Sequence, residues 1–347
     1  MRQTNFMRIL IFVLIGAFVL SGVFTTFRQC SAPPVPVATG AQHDTKVQRP
    51  AVALPAFQAD SAWMYIKKQT DFGARVPNTA AHQRCAVWLA AAFRRYGLEV
   101  TEQKFSSAHY KGYAMQGVNI IGQYRPELPR RILFAAHWDS RFIADHDPEN
   151  PTGPVMGADD GGSGVGVILE MARLLQQHPA EIGVDFVLFD LEDQGNDAAS
   201  DDKGTESWCL GSQYWSKNLH RPGYMPLFGI LLDMVGGANP VFAKEGISMQ
   251  AAPGIVELVW KTAASLGYGH IFVQQQSAGI TDDHVFVMRN AHIPMIDIIN
   301  RPTGTASGFV PHWHTRHDGM EAIDKQTLRA VGETCIAVLY QQQAVVQ

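Results

Sequence analysis

The chain has 347 residues, 46% of them hydrophobic, with a formal net charge of −4 and a pI near 6.3. Beyond its N-terminal segment it is long enough for one large α/β domain with a substantial core. There is no basic excess, and the doublets Lys67-Lys68, Arg94-Arg95 and Arg130-Arg131 are scattered; this argues against a phosphate-neutralising surface, so nucleic acid is excluded as a partner.

Residues 1–23 carry Arg2 and Arg8, and an apolar run extends from Ile9 to Phe24, broken only by Gly16, Ser21 and Gly22. This pattern reads as a signal peptide or an uncleaved anchor associated with a membrane, slightly short for an upright span of about 20 residues. Lipidation at Cys30 is the alternative, although Phe27-Arg28-Gln29 lacks the small residues expected before a lipidated cysteine. Either reading puts the folded domain in the periplasm or elsewhere outside the cytoplasm. Residues 1–30 are therefore assigned to the signal or anchor. The Pro/Ala/Val-rich stretch 31–56 is assigned to a tether, and 57–347 to a single domain. The four cysteines, Cys30, Cys85, Cys209 and Cys335, show no CxxC spacing and so no cysteine zinc site.

Asp60 or Ser61 is expected to cap a short helix through Lys68, and Asn78 or Thr79 a longer one to Tyr96, stopped by Gly97. The stripe Cys85, Trp88, Leu89, Ala92, Tyr96 in that helix has core spacing. Strands are expected at 98–105, 115–124 and 131–137, then a helix from Gly161 to Gln177 and a strand at 184–190. A polar insertion, 194–207, precedes a helix at 210–218. The remaining elements are a strand at 227–233, a helix at 254–266, a strand at 271–275, a helix at 283–289, a strand at 293–299 and a last helix capped by Asp324. Strands alternating with helices predict an α/β single domain with a mixed, mostly parallel central sheet flanked by helices.

Several apolar runs stop at potential ligands. Val184 to Phe189 is followed by Asp190, Glu192 and Asp193; Ile132 leads to His137-Trp138-Asp139; Ile230-Leu231-Leu232 ends in Asp233. Gly157-Ala158-Asp159-Asp160-Gly161 opens a helix, where Asp159 is expected to act as a cap. Phe309-Val310-Pro311-His312-Trp313-His314-Thr315-Arg316-His317-Asp318 packs three histidines into six residues. Hard oxygens and imidazole brought to the C-terminal edge of a parallel sheet suit one zinc ion. Adjacent acids diverge, so one of Glu192 and Asp193 can hold a metal while the other serves as a general base. Asp297 interrupts an apolar strand and must be paired or protonated, which suggests a network with Asp282 and Asp233.

Together these motifs resemble the zinc aminopeptidase-like α/β family, and within it the animal-type glutaminyl cyclases, of which bacterial members exist. The resemblance covers Phe57 to the C-terminus. It implies cyclisation of an N-terminal glutamine of peptides or proteins to pyroglutamate, with release of ammonia. It also implies one Zn2+ per chain held by Asp160, Asp193 and His314, with Glu192 as acid/base and Asp233 and Asp282 as supporting acids. Trp313, Phe309 and Trp208 would line the substrate pocket. The chain departs from the family pattern at Asp193, where Glu is usual, and at Asp297, where an imidazole is expected. The rival is a two-zinc aminopeptidase, because His137, Asp160, Asp193, Asp233 and His314 fill every ligand position that chemistry uses. The oligomeric state is not readable from the sequence.

Overall fold

The structure, a computed structural model, describes residues 54–198, 202–302, 304–305 and 307–343. The expected signal or anchor segment, and all but the last three residues of the tether, lie outside them. In chain order the elements begin with α1 (Ala59–Thr70), α2 (Ala80–Arg95), β1 (Glu99–Ala108), β2 (Ala114–Tyr124), β3 (Arg131–His137), α3 (Gly162–Gln177) and β4 (Gly183–Phe189). There follow α4 (Asp202–Thr205), α5 (Leu210–Lys217), β5 (Gly229–Asp233), β6 (Phe242–Lys244) and α6 (Gly246–Ala251). The chain then forms α7 (Pro253–Ser265), β7 (Phe272–Gln276), α8 (Asp283–Ala291), β8 (Met295–Ile299) and α9 (Lys325–Gln341).

Local chemistry sets most of these boundaries. Thr79 accepts the N–H of His82 and opens α2, and Gly97, at φ +78, lets the chain leave it. Asp324 caps α9 through the N–H of Gln326. At α1 the expected cap is corrected. The helix starts at Ala59 with no side-chain cap, so Asp60 and Ser61 lie in its first turn, where an acid still favours the dipole. Cys85, Leu89 and Ala92 are buried as the stripe predicts, while Trp88 and Tyr96 are half-buried at its edge. Cys85, Cys209 and Cys335 are all free thiols.

The main sheet has the order β1-β2-β4-β3-β5-β8. β1 pairs antiparallel with β2 and β2 with β4; the β4–β3, β3–β5 and β5–β8 pairs are parallel. Both faces of the parallel part are covered. Ile132, Phe134 and Ala136 point into the core shared with α2 and α3, and Leu133 and Ala135 into a second one with Trp215 of α5 and Val287 of α8. That two-sided burial explains the continuous apolar runs. The register sets His137 beside Phe189 and Asp233 beside Ile299, so the C-terminal ends of β4, β3, β5 and β8 form one edge. Among the described residues no helix is long and apolar enough to cross a membrane.

Candidate active site

The acid pair follows the strand, as the sequence suggests, and does not ride on it. β4 stops at Phe189 because Asp190 turns its carboxylate back, accepting the N–H of Leu191 at 2.9 Å and of Val118 at 2.7 Å. Leu191 then takes the left-handed conformation at φ +57. Met234 and His314 do likewise at +46 and +54. Non-glycine residues in this region are held there by their surroundings, and here all three adjoin or carry the candidate site residues.

Asp160, Asp193 and His314 converge. His314 Nε2 lies 3.0 Å from Asp193 Oδ1 and 3.8 Å from Asp160 Oδ2, and its other ring nitrogen lies 3.4 Å from Asp145. All three converging residues are buried, and Asp193 Oδ2 has no hydrogen-bond partner. A buried carboxylate oxygen left unpaired beside a second carboxylate and an imidazole is a donor set that fits a divalent cation such as zinc. The Asp145 carboxylate stands where an outer carboxylate commonly accompanies a metal-binding histidine, although His314 Nδ1 makes no hydrogen bond to it. A second group shares Asp160: His137 Nε2 lies 2.9 Å from Asp160 Oδ1 and 3.3 Å from Asp233 Oδ1.

Glu192 faces the same cavity, which has a volume of about 270 Å³ and is lined among others by Asp160, Asp193, Trp208, Asp282, Phe309 and Trp313. Burial pushes its carboxyl well above the usual range, with His137 opposing and the neighbouring acids adding to the rise. The aromatic wall is continuous. Trp313 stacks on His314 at 3.8 Å and on Phe309 at 4.4 Å, and Trp208 lies parallel to the His314 ring at 5.9 Å. Arg141 sits 4.6 Å over Trp208 and donates to the carbonyls of Asp193 and Gly195.

Asp282 caps α8 through the N–H of Asp283. Asp282, His284 and Asp297 bring donor atoms within 4.8 Å of one another, but Asp233 is not in that group and neither Asp297 oxygen has a hydrogen-bond partner, so the expected hydrogen-bonded network of Asp297 with Asp282 and Asp233 is not formed. Burial, then Asp282 and Asp233, raise Asp297 well above the carboxylate range. Asp233 is pushed up to about 8, chiefly by burial.

With this geometry established, known proteins place the chain. The sequence profile of peptidase family M28 matches residues 119–339. The chain belongs to peptidase family M28. This M28 chain is 49% identical to a Bacteroides thetaiotaomicron glutaminyl cyclase, solved with bound N-acetylhistamine; the match covers 83% of this chain and 99% of that one at a TM-score of 0.81. A Zn-dependent exopeptidase from Parabacteroides distasonis is 48% identical, over 83% of this chain and 99% of that one, also at 0.81. Aminopeptidase YwaD of Bacillus subtilis is 27% identical over 253 residues, 71% of this chain and 49% of that one, so the M28 chain spans about half the length of that relative.

Several residues organise this M28 site through contacts that the sequence does not signal. Asp318 accepts the N–H of Asp159 at 2.7 Å and of Asp160 at 3.1 Å, fixing the loop before α3. Asp159 does not cap that helix with its side chain; it accepts the N–H of Gly236 and pairs with His312 at 2.8 Å. The three histidines thus divide, with His314 in the site, His312 behind it and His317 exposed. Gly161 is required by contact: a Cβ there would come within 2.4 Å of the His137 carbonyl.

Proposed function

We propose that the chain is a zinc-dependent glutaminyl-peptide cyclotransferase, converting the N-terminal glutamine of peptides or proteins to pyroglutamate with release of ammonia. The observation that carries this reading is the single small cavity in which Glu192 faces Asp160, Asp193 and His314 inside a wall of Trp208, Phe309 and Trp313. The near half identity to a glutaminyl cyclase across its whole length supports it.

Asp160, Asp193 and His314 would hold the ion, which when bound supplies Lewis acidity toward the side-chain amide. The aromatic wall grips the aliphatic part of glutamine and holds the rotamer in which its α-amine reaches its own γ-carboxamide. Glu192 accepts a proton from the attacking amine and returns it to the departing nitrogen, which leaves as ammonia. Burial raises its affinity for protons, as a group that exchanges one in the site requires. Asp282, with Asp193 and Asp283, adds to that rise, and Asp233 lines the same cavity as a supporting acid.

The second reading, a two-zinc aminopeptidase, is favoured by one observation: His137, Asp160 and Asp233 also form a metal-capable group. Elemental analysis of the dialysed protein beside an ammonia-release assay separates the two. One zinc per chain with ammonia released from a Gln-initiated peptide is expected. Two tightly held zinc ions with peptide hydrolysis would support the rival. We further propose that residues 1–30 export the protein and associate it with a membrane, and that 31–56 tether the domain 57–347 outside the cytoplasm.

A further inference from the structure

Cys209 is buried, but it is not packed as an inert small hydrophobe. Its N–H donates to the Glu192 carbonyl at 2.9 Å, and the next N–H, of Leu210, donates to the Leu191 carbonyl at 3.0 Å. The residue sits at φ +56, a conformation non-glycine residues seldom adopt. There its thiol donates to Glu192 Oε1 at 3.2 Å. Asp282 reaches the same place with a carboxylate whose Oδ2 is buried and has no hydrogen-bond partner. One donor atom each from Glu192, Cys209 and Asp282 lies within 4.8 Å of the others. Glu192 and Asp282 line the cavity, so the cluster is reached from it. None of the three belongs to the set proposed to hold the catalytic ion.

We propose that Glu192, Cys209 and Asp282 form a second, inhibitory site for a soft divalent cation, cadmium or zinc in excess. A thiolate flanked by carboxylates selects such cations over magnesium or calcium, which take oxygen ligands. Binding breaks the S–H bond, forms a sulfur–metal bond and releases the thiol proton to solvent. The site fills when the cation exceeds what the catalytic set takes up. Once filled, it occupies the carboxylate of Glu192, which no longer accepts a proton, and turnover stops. The inhibition rests on the role proposed above for Glu192; the binding does not.

The test is a cadmium titration of the zinc-loaded full-length protein. Ultraviolet thiolate-to-cadmium absorption is followed together with turnover of a Gln-initiated peptide. The absorption should grow to one equivalent while turnover falls in step. Cys209→Ser and Cys209→Ala should both lose the absorption, and the cadmium concentration for half-inhibition should rise by about 10-fold or more. Cadmium that displaces the catalytic ion gives no such band, because Asp160, Asp193 and His314 carry no sulfur. No band in the parent, an undiminished band in Cys209→Ser, or equal inhibition of parent and variants would overturn the proposal. If the parent released no ammonia, the cyclase reading would fail, and the absorption would still decide the site.

Discussion

Asp139 Oδ1 accepts the backbone N–H of Glu192 at 3.1 Å, so the chain carrying the acid pair is fixed by a residue two positions beyond β3. The other oxygen takes the N–H of Asp193 at 3.2 Å and the side-chain amide of Gln194 at 2.9 Å. Asp139 also lies 3.5 Å from His137 Nδ1. A single buried carboxylate thereby sets the relative position of the proposed base, one proposed metal ligand and an imidazole.

Asp139→Asn should disturb all of these contacts. The amide keeps one acceptor oxygen and presents an NH2 where an N–H must be received. Zinc affinity and turnover should both fall, each by about 10- to 100-fold, the scale of losses in outer-shell metal partners. Competitive chelation and steady-state kinetics on the one variant check this.

Glu192→Gln separates proton transfer from metal binding. Size and shape are kept and the base is removed. Turnover should drop by roughly 100-fold or more, with zinc content at the parent level. Full loss of zinc in this variant would exchange the roles of Glu192 and Asp193.

Asp193→Ala should lose zinc on dialysis, read by elemental analysis. Asp193→Glu should keep some metal but turn over poorly, because the added methylene displaces a site whose tolerance is about 0.5 Å. Normal zinc retention by Asp193→Ala would remove it from the ligand set.

The acid stability of the fold should involve Glu245. Its carboxylate accepts the N–H groups of Ile247, Ser248 and Ile280 and pairs with His284 at 3.2 Å. Burial opposes its ionisation, but His284 and the N–H donors outweigh it and lower its pKa from 4.5 to about 2. A depressed folded-state pKa stabilises the fold above the unfolded value, and that contribution disappears as pH falls through the folded one. The melting-temperature gap between parent and Glu245→Gln should be widest above pH 4.5 and shrink toward pH 2. A gap constant across that range would show that the ionised carboxylate contributes nothing.

What the sequence revealed follows from how each residue is held. His137 and Asp233 end strands buried on both faces, and Glu192 and Asp193 follow such a strand, so each comes after an apolar run that can be read locally. Glu192 and Asp193 lie beyond the end of the strand, after the turn in which Asp190 accepts the N–H of Leu191. Asp318 is 158 residues from the Asp160 N–H it holds, and no local pattern records such a bond. β6 and α6 escaped because three and six residues are too short to show a period. Cys209 lies outside any CxxC spacing, so the sequence gives no sign of where its thiol points.

The central claim is the reaction, and product identity tests it most directly. The full-length zinc-loaded protein is incubated with a peptide beginning with glutamine, and the peptide is followed by mass spectrometry. The account predicts a product lighter by one ammonia, with the rest of the peptide intact and its amino terminus blocked. A shortened peptide with free glutamine would contradict it and establish hydrolysis in its place.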